Sequence, residues 1–254
     1  MNAAIRRAAA LALSTAAAQA AAVDVTPSGD AVPENLLRIE LRLARPLAHP
    51  LDMDQVHLLD ARGDTIDGAF LDLPLPGDDG RTITLLLHPG RVKSGVGANL
   101  ALGRALHAGE AVTLVVDDPQ LGTPLRKRWQ VDAPARHALL APDTRLDAPR
   151  PGTHDALQVH FDTPLTASAV RLLAVRGAQG DRVAGAAALR DGETTWRFVP
   201  AHAWVDGEYA LMLHPRLEDV AGNRPCAPFE ATRLAAVECA TTALAFRVSR
   251  QGGS

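Results

Sequence analysis

Apolar residues recur at every second position in short runs, and glycine or proline ends each run. Ile39, Leu41 and Leu43 alternate with polar neighbours, as do Leu157, Val159 and Phe161. Period two sends neighbouring side chains to opposite faces of a strand, so each run predicts a strand with one buried face. No stretch shows a sustained 3.6-residue face, and turn residues separate the runs at short intervals, which predicts antiparallel β-sandwiches. Helix is expected only in short pieces, around Val96 to Leu106.

The pattern occurs twice. The first run leads into Pro46-Leu47 and its counterpart into Pro164-Leu165. Gly63-Asp64-Thr65-Ile66-Asp67-Gly68-Ala69 then matches Gly180-Asp181-Arg182-Val183-Ala184-Gly185-Ala186. Ile83, Leu85 and Leu87 before Pro89 match Thr194, Trp196 and Phe198 before Pro200, and Gly109-Glu110 matches Gly207-Glu208. Four elements in one order imply a duplicated unit. The copies divide near Asp132-Ala133-Pro134, giving an all-β chain of two tandem sandwiches at 23–133 and 134–232. Residues 233–254 are left as a C-terminal tail whose Ala243 to Val248 read as an added edge strand. Two insertions, Pro74 to Arg81 and Val96 to Leu106, belong to the first copy alone.

Leu217-Glu218-Asp219-Val220-Ala221-Gly222-Asn223-Arg224-Pro225 resembles the D-x-A-G-N-x-P turn near the end of bacterial Ig-like domains of the S-layer-protein (SbsA) type. Asp162-Thr163-Pro164 is similar to that family's opening. The first copy departs from it: Asp118-Pro119-Gln120-Leu121-Gly122-Thr123-Pro124 stands where the A-G-N turn belongs, and Ala44-Arg45-Pro46 lacks the acidic residue. The resemblance implies two tandem Ig-like sandwiches serving as spacers, surface-layer parts or accessory modules of the cell envelope, and it supplies no catalytic residues.

Composition narrows the function. With 254 residues the chain is long enough for two domains of about 100 residues, each with its own core. Nine aromatic residues, five Phe, three Trp and one Tyr, leave that core mostly aliphatic. The formal charge is −3, from 26 basic and 29 acidic residues, and it argues against nucleic acid or an anionic membrane surface as the main partner. Residues 1–20 read as a signal peptide, with Arg6-Arg7 ahead of an apolar stretch from Ala8 to Ala17, and Ala18-Gln19-Ala20 as a cleavage pattern after Ala20. No later stretch approaches the roughly 20 apolar residues of a membrane span. A periplasmic or secreted protein is therefore expected. In an exported chain Cys226 and Cys239, the two cysteines, suggest a disulfide, which on the chain-entropy model would stabilise by roughly 3 kcal/mol; two buried thiols are the alternative.

Candidate chemistry is sparse. The nine histidines form no H-x-H, H-x-x-x-H or HExxH spacing. Asp52, Asp54, Asp78 and Asp79 offer oxygens for Ca²⁺ without the spacing of an EF-hand. Arg62-Gly63-Asp64 spells an adhesion tripeptide at a position whose counterpart, Gln179-Gly180-Asp181, is the same turn without the arginine. No serine lies in G-x-S-x-G, and no glycine-rich phosphate loop is present. The expectation is a non-catalytic binding or structural module without cofactor, partnered by an unidentified envelope protein or polysaccharide. Two other readings stay open: a carbohydrate-binding module with Trp129 or Trp204 exposed, and a metal-dependent enzyme assembling His88, Asp78 and Asp79 between the domains.

Overall fold

A computed structural model describes residues 23–93, 97–140, 144–230 and 240–250. The proposed signal peptide at 1–20 and Cys239 lie outside the described residues. The first half contains β1 (Val23–Thr26), β2 (Ala31–Pro33), β3 (Arg38–Leu43), β4 (Val56–Leu59), β5 (Leu75–Pro76), β6 (Thr82–Leu86), β7 (Ala111–Val116) and β8 (Leu125–Asp132). The second contains β9 (Arg145–Asp147), β10 (Leu157–His160), β11 (Leu173–Arg176), β12 (Gly185–Arg190), β13 (Thr195–Pro200), β14 (Gly207–Leu213) and β15 (Thr242–Val248).

The duplication is visible in strand order. One sheet of the first unit runs β1-β3-β6-β5, and its counterpart in the second runs β9-β10-β13-β12. The facing sheets run β2-β8-β7-β4 and β11-β14-β15. Every pairing is antiparallel except β2 with β8. A four-stranded A-B-E-D sheet packed on a C-F-G sheet is the Ig arrangement, so the chain is an all-β pair of tandem Ig-like sandwiches.

The predicted alternation is what fills the cores. Ile39, Leu41, Leu85 and Leu114 are fully enclosed in the first, and Leu157, Val159, Trp196 and Leu211 in the second. Each such side chain contributes about 1.5–3 kcal/mol by leaving water. The matched Gly-Asp turns also coincide. Gly63 has φ 91° and donates to the Asp60 carbonyl at 3.1 Å; Gly180 has φ 89° and donates to the Gly177 carbonyl at 3.0 Å. Glycine is required at this left-handed position.

Three details refine the reading. The first copy holds two short helices, α1 (Pro89–Val92) ahead of its insertion and α2 (Gly97–Leu102) within it, with His88 capping α1 through Nδ1, which accepts from Gly90 N at 3.0 Å. The other insertion supplies β5, which has two residues where β12 has six. Finally, β15 pairs with β14 along seven residues and places Phe246 and Val248 in the second core. The edge strand expected at Ala243 to Val248 is thus present, and beside β14 it takes the place that β8 takes beside β7. A third helix, α3 (Ala169–Leu172), leads into β11. Among the described residues, no helix is long and apolar enough to cross a membrane.

Candidate functional site: the joint between the sandwiches

Both units follow their penultimate long strand with a side-chain-capped Pro turn. Asp118 Oδ1 accepts from Gln120 N at 2.8 Å, and His214 Nδ1 accepts from Arg216 N at 3.1 Å. Each turn delivers a buried leucine, Leu121 or Leu217, to its core. The first chain segment then enters β8 at Leu125, whereas the second makes the Asp219–Asn223 turn before reaching β15 at Thr242.

Asp219 organises that turn. Its Oδ1 accepts from Ala221 N at 2.9 Å and Asn223 N at 2.8 Å, and its Oδ2 from Asn223 Nδ2 at 2.8 Å. Gly222 adopts φ 83°, and a methyl group there would come 2.8 Å from Leu37 Cδ2. Burial pushes the Asp219 carboxyl up to about 6, against the pull of these donors and of the Arg38 charge.

The turn docks into the other unit. Val220 sits in the first core at 1% exposure, and its carbonyl accepts from Leu37 N at 2.8 Å and Arg38 N at 3.3 Å. Asn35 exchanges two bonds with the Ala135 backbone, at 2.7 and 2.8 Å, and Asn223 Nδ2 donates to the same Ala135 carbonyl at 3.1 Å. Both amides are buried and satisfied, as buried polar groups must be. Arg38 pairs with Glu218 at 2.6 Å, and Lys93 lies 4.2 Å from the centre of the Phe229 ring. Without its bonding partners Val220 would be an apolar residue exposed on a loop; here it is a plug.

A second contact lies on the β12–β13 turn. Glu193 accepts from Ser28 N and Ser28 Oγ, both at 2.7 Å, and Ala167 N donates to Glu40 at 2.6 Å. Asp191, Gly192 and Glu193 all have positive φ, at 55°, 64° and 66°. Such conformations are strained for residues with a Cβ. The close approach explains the glycine: a methyl group on Gly192 would come 2.8 Å from Gly29 Cα. Glu40 is also pushed up by burial, opposed chiefly by its bond from Ala167.

Two clefts flank the joint with opposite character. One, of about 340 Å³, is lined by Asp30, Asp132, Asp162 and Asp191 with His137. The other, of about 660 Å³, holds Arg42, Arg126, Lys127 and Arg190 beside Glu40 and Glu193.

The residues singled out from the sequence fall elsewhere. Asp52 caps a single 3₁₀ turn by accepting from Asp54 N at 3.0 Å, and Asp79 accepts from Arg81 N at 2.9 Å and Thr82 N at 2.8 Å. Asp78 and Asp79 do line an inter-unit groove, with Arg42 and Arg171, but His88 is not part of it. The trio of the enzyme reading is thus not assembled. Among the described residues no three His, Cys, Asp or Glu side chains are grouped to hold a metal ion. Trp129 and Trp204 are 1% and 3% exposed and donate to the Pro27 and Asp155 carbonyls, so neither forms the exposed platform of a carbohydrate module. Trp196 stacks on Phe198 in the second core at 5.7 Å. Cys226 is disulfide-bonded, and Cys239 lies outside the described residues.

One row was not foreseen. Thr195 Oγ1 lies 3.2 Å from His160 Nδ1, and His160 Nε2 lies 3.0 Å from Asp147 Oδ2. Its order is that of a nucleophile, base and orienting acid. Thr195 is only 3% exposed, however, so its hydroxyl is closed to a substrate and the row acts as a link across β9, β10 and β13. The Arg145 guanidinium, with His160, holds the Asp147 carboxyl down at about 2. Its signal is cross-strand register, which the sequence does not state.

No family model matches this chain, and no curated protein matches it. Among solved structures it is similar to a titin Ig tandem at 12% identity, covering 87% of this chain and 91% of that one, with a TM-score of 0.28. It is also similar to domains 4–9 of the surface layer protein SbsC at 10% identity, covering 91% and 31%, with a TM-score of 0.26. Overlaps this loose carry no argument; the Ig class rests on the chain's own strand order.

Proposed function

We propose that this chain is an exported, non-catalytic structural and binding module of the cell envelope, built as two Ig-like domains held at a fixed angle. The domains span 23–133 and 134–248, and a signal peptide is removed after Ala20. A bond between Cys226 and Cys239 staples the long loop that carries the docking turn. The observation that carries the reading is the joint: Val220 of the second unit completes the core of the first, which turns two sandwiches into one strut. The leader pattern and the resemblance of the Asp219–Asn223 turn to S-layer Ig-like domains support the envelope address. An envelope protein or polysaccharide is the expected partner.

The test is to express the full chain in a bacterial host, fractionate it, and weigh the recovered protein before and after reduction. A species beginning at Ala21 in the periplasm or medium, with its two thiols blocked until reduction, is expected. Cytoplasmic protein retaining Met1 would overturn the address.

A further inference from the structure

We infer that the larger cleft beside the joint binds an acidic polysaccharide, whose carboxylates are taken by Arg42, Arg126 and Arg190. The inference rests on the binding module proposed above and names the class of its ligand.

The joint builds this cleft. β1, β3 and the start of β8 form one wall, and residues 167–170 and 189–193 of the second unit form the other. The bonds from Ser28 to Glu193 and from Ala167 N to Glu40 fix the walls at two points. The cleft, of about 660 Å³, is continued by a groove of about 490 Å³ that shares Glu40, Arg42 and Val170 with it and reaches Asp78 and Arg171. The two make one channel, long enough for a polymer.

The acids held in its walls are engaged, and its arginines are not. Glu193 accepts both Ser28 donors, and Glu40 accepts from Ala167 N and is pushed up by burial. Asp79 accepts from Arg81 N, Thr82 N and Thr82 Oγ1. Among the described residues no carboxylate lies within ion-pairing distance of Arg42, Arg126, Arg171 or Arg190, although seven other arginines are paired. Arg190 donates to the Leu189 carbonyl at 3.0 Å and to no acid. Arg42 stands opposite Asp24 in register, and its charge is felt by Asp79, but neither acid pairs with it. Lys127, which donates to the Ser28 carbonyl at 2.8 Å, adds a further positive charge. The acidic cleft on the other flank, with Asp30, Asp132, Asp162 and Asp191, repels the same ligand and confines it to this side.

The chemistry of the channel selects among polyanions. A guanidinium fork matches a carboxylate in two parallel hydrogen bonds. Asp24 and Asp78 bond to no other side chain and can only accept, so they suit sugar hydroxyls and oppose a ligand made of charge alone. No aromatic ring lines either part, which leaves nucleic-acid bases without a stacking platform. A chain of uronic acid residues brings a carboxylate and hydroxyls with every sugar.

The probe is oligogalacturonate, titrated calorimetrically into the purified full chain. Its methyl ester keeps the sugar without the charge, and polyglutamate keeps the charge without the sugar. Oligogalacturonate should bind and the two analogues should not, with affinity falling at least about tenfold between about 50 and about 200 mM salt. Arg42→Gln and Arg126→Gln should each weaken binding about tenfold. Arg62→Gln, which removes an exposed charge from the Gly63 turn outside the channel, should leave it unchanged. All three variants should keep the thermal unfolding of the parent. Three results overturn the proposal: no binding of oligogalacturonate at low salt, equal binding of either analogue, or a loss with Arg62→Gln as large as with Arg42→Gln. The export test above is read without ligand, so it stands or falls separately.

Discussion

Asp219 does at one residue what a whole interface needs, since a single buried carboxyl closes the turn whose next residue enters the other core. Its sign with pH follows from burial. An acid whose carboxyl is raised from 3.8 to about 6 on folding stabilises most when protonated. That contribution is complete below about pH 3.8 and is lost as pH rises through about 6, a change of roughly 3 kcal/mol if Asp219 acts alone. Glu40, raised by burial in the same joint, adds in the same direction. Thermal unfolding followed between pH 4.5 and 7.5 should show a midpoint falling with pH, and Asp219→Asn should flatten that fall. A profile that rises over this interval would contradict the burial argument. Asp219→Ala strands the Ala221, Asn223 and Asn223 side-chain donors and is expected to destabilise by about 3 kcal/mol in urea unfolding. Gly222→Ala is expected to loosen the joint as well, through its φ of 83° and the 2.8 Å approach to Leu37.

At the scale of elements, the strands were legible in the sequence and the loops were not. Alternation marks buried faces because every second side chain must leave water, and Ile39, Leu41, Leu157 and Val159 behave that way. The edge strand read at Ala243 to Val248 is β15, which pairs with β14; its alternation marks it as a strand, while the depth of Phe246 and Val248 in the second core depends on which sheet it joins, and nothing local states that. The α1–α2 segment depends on Arg91, a core-facing cation 7% exposed. Its guanidinium donates to the carbonyls of Asp67, Leu102, Gly103 and Arg104. Arg91→Met should destabilise the first unit by about 2–3 kcal/mol and speed amide exchange at residues 97–105, because four carbonyls lose their donor. The β12–β13 turn offers the opposite outcome. Asp191 holds φ 55°, so Asp191→Gly should relieve strain and raise stability by about 0.5–1 kcal/mol in the same assay. Equal or lower stability would show that the turn is unstrained.

For the whole molecule, two sandwiches could be read from repetition, but their docking could not. The D-x-A-G-N turn was visible as a motif of the second copy alone, and its real office, carrying Val220 across the joint, is a long-range contact between residues 37–38 and 220. Trp129 and Trp204 show the same limit: a tryptophan serves a buried core or an exposed platform equally well in sequence, and the fold encloses both. The central claim is that Val220 couples the two units, and calorimetric unfolding of the full chain beside Val220→Asp tests it most directly. The account predicts one cooperative transition for the parent and two separated transitions for the variant, with the first unit the less stable. Two independent transitions in the parent, unchanged by the substitution, would contradict it.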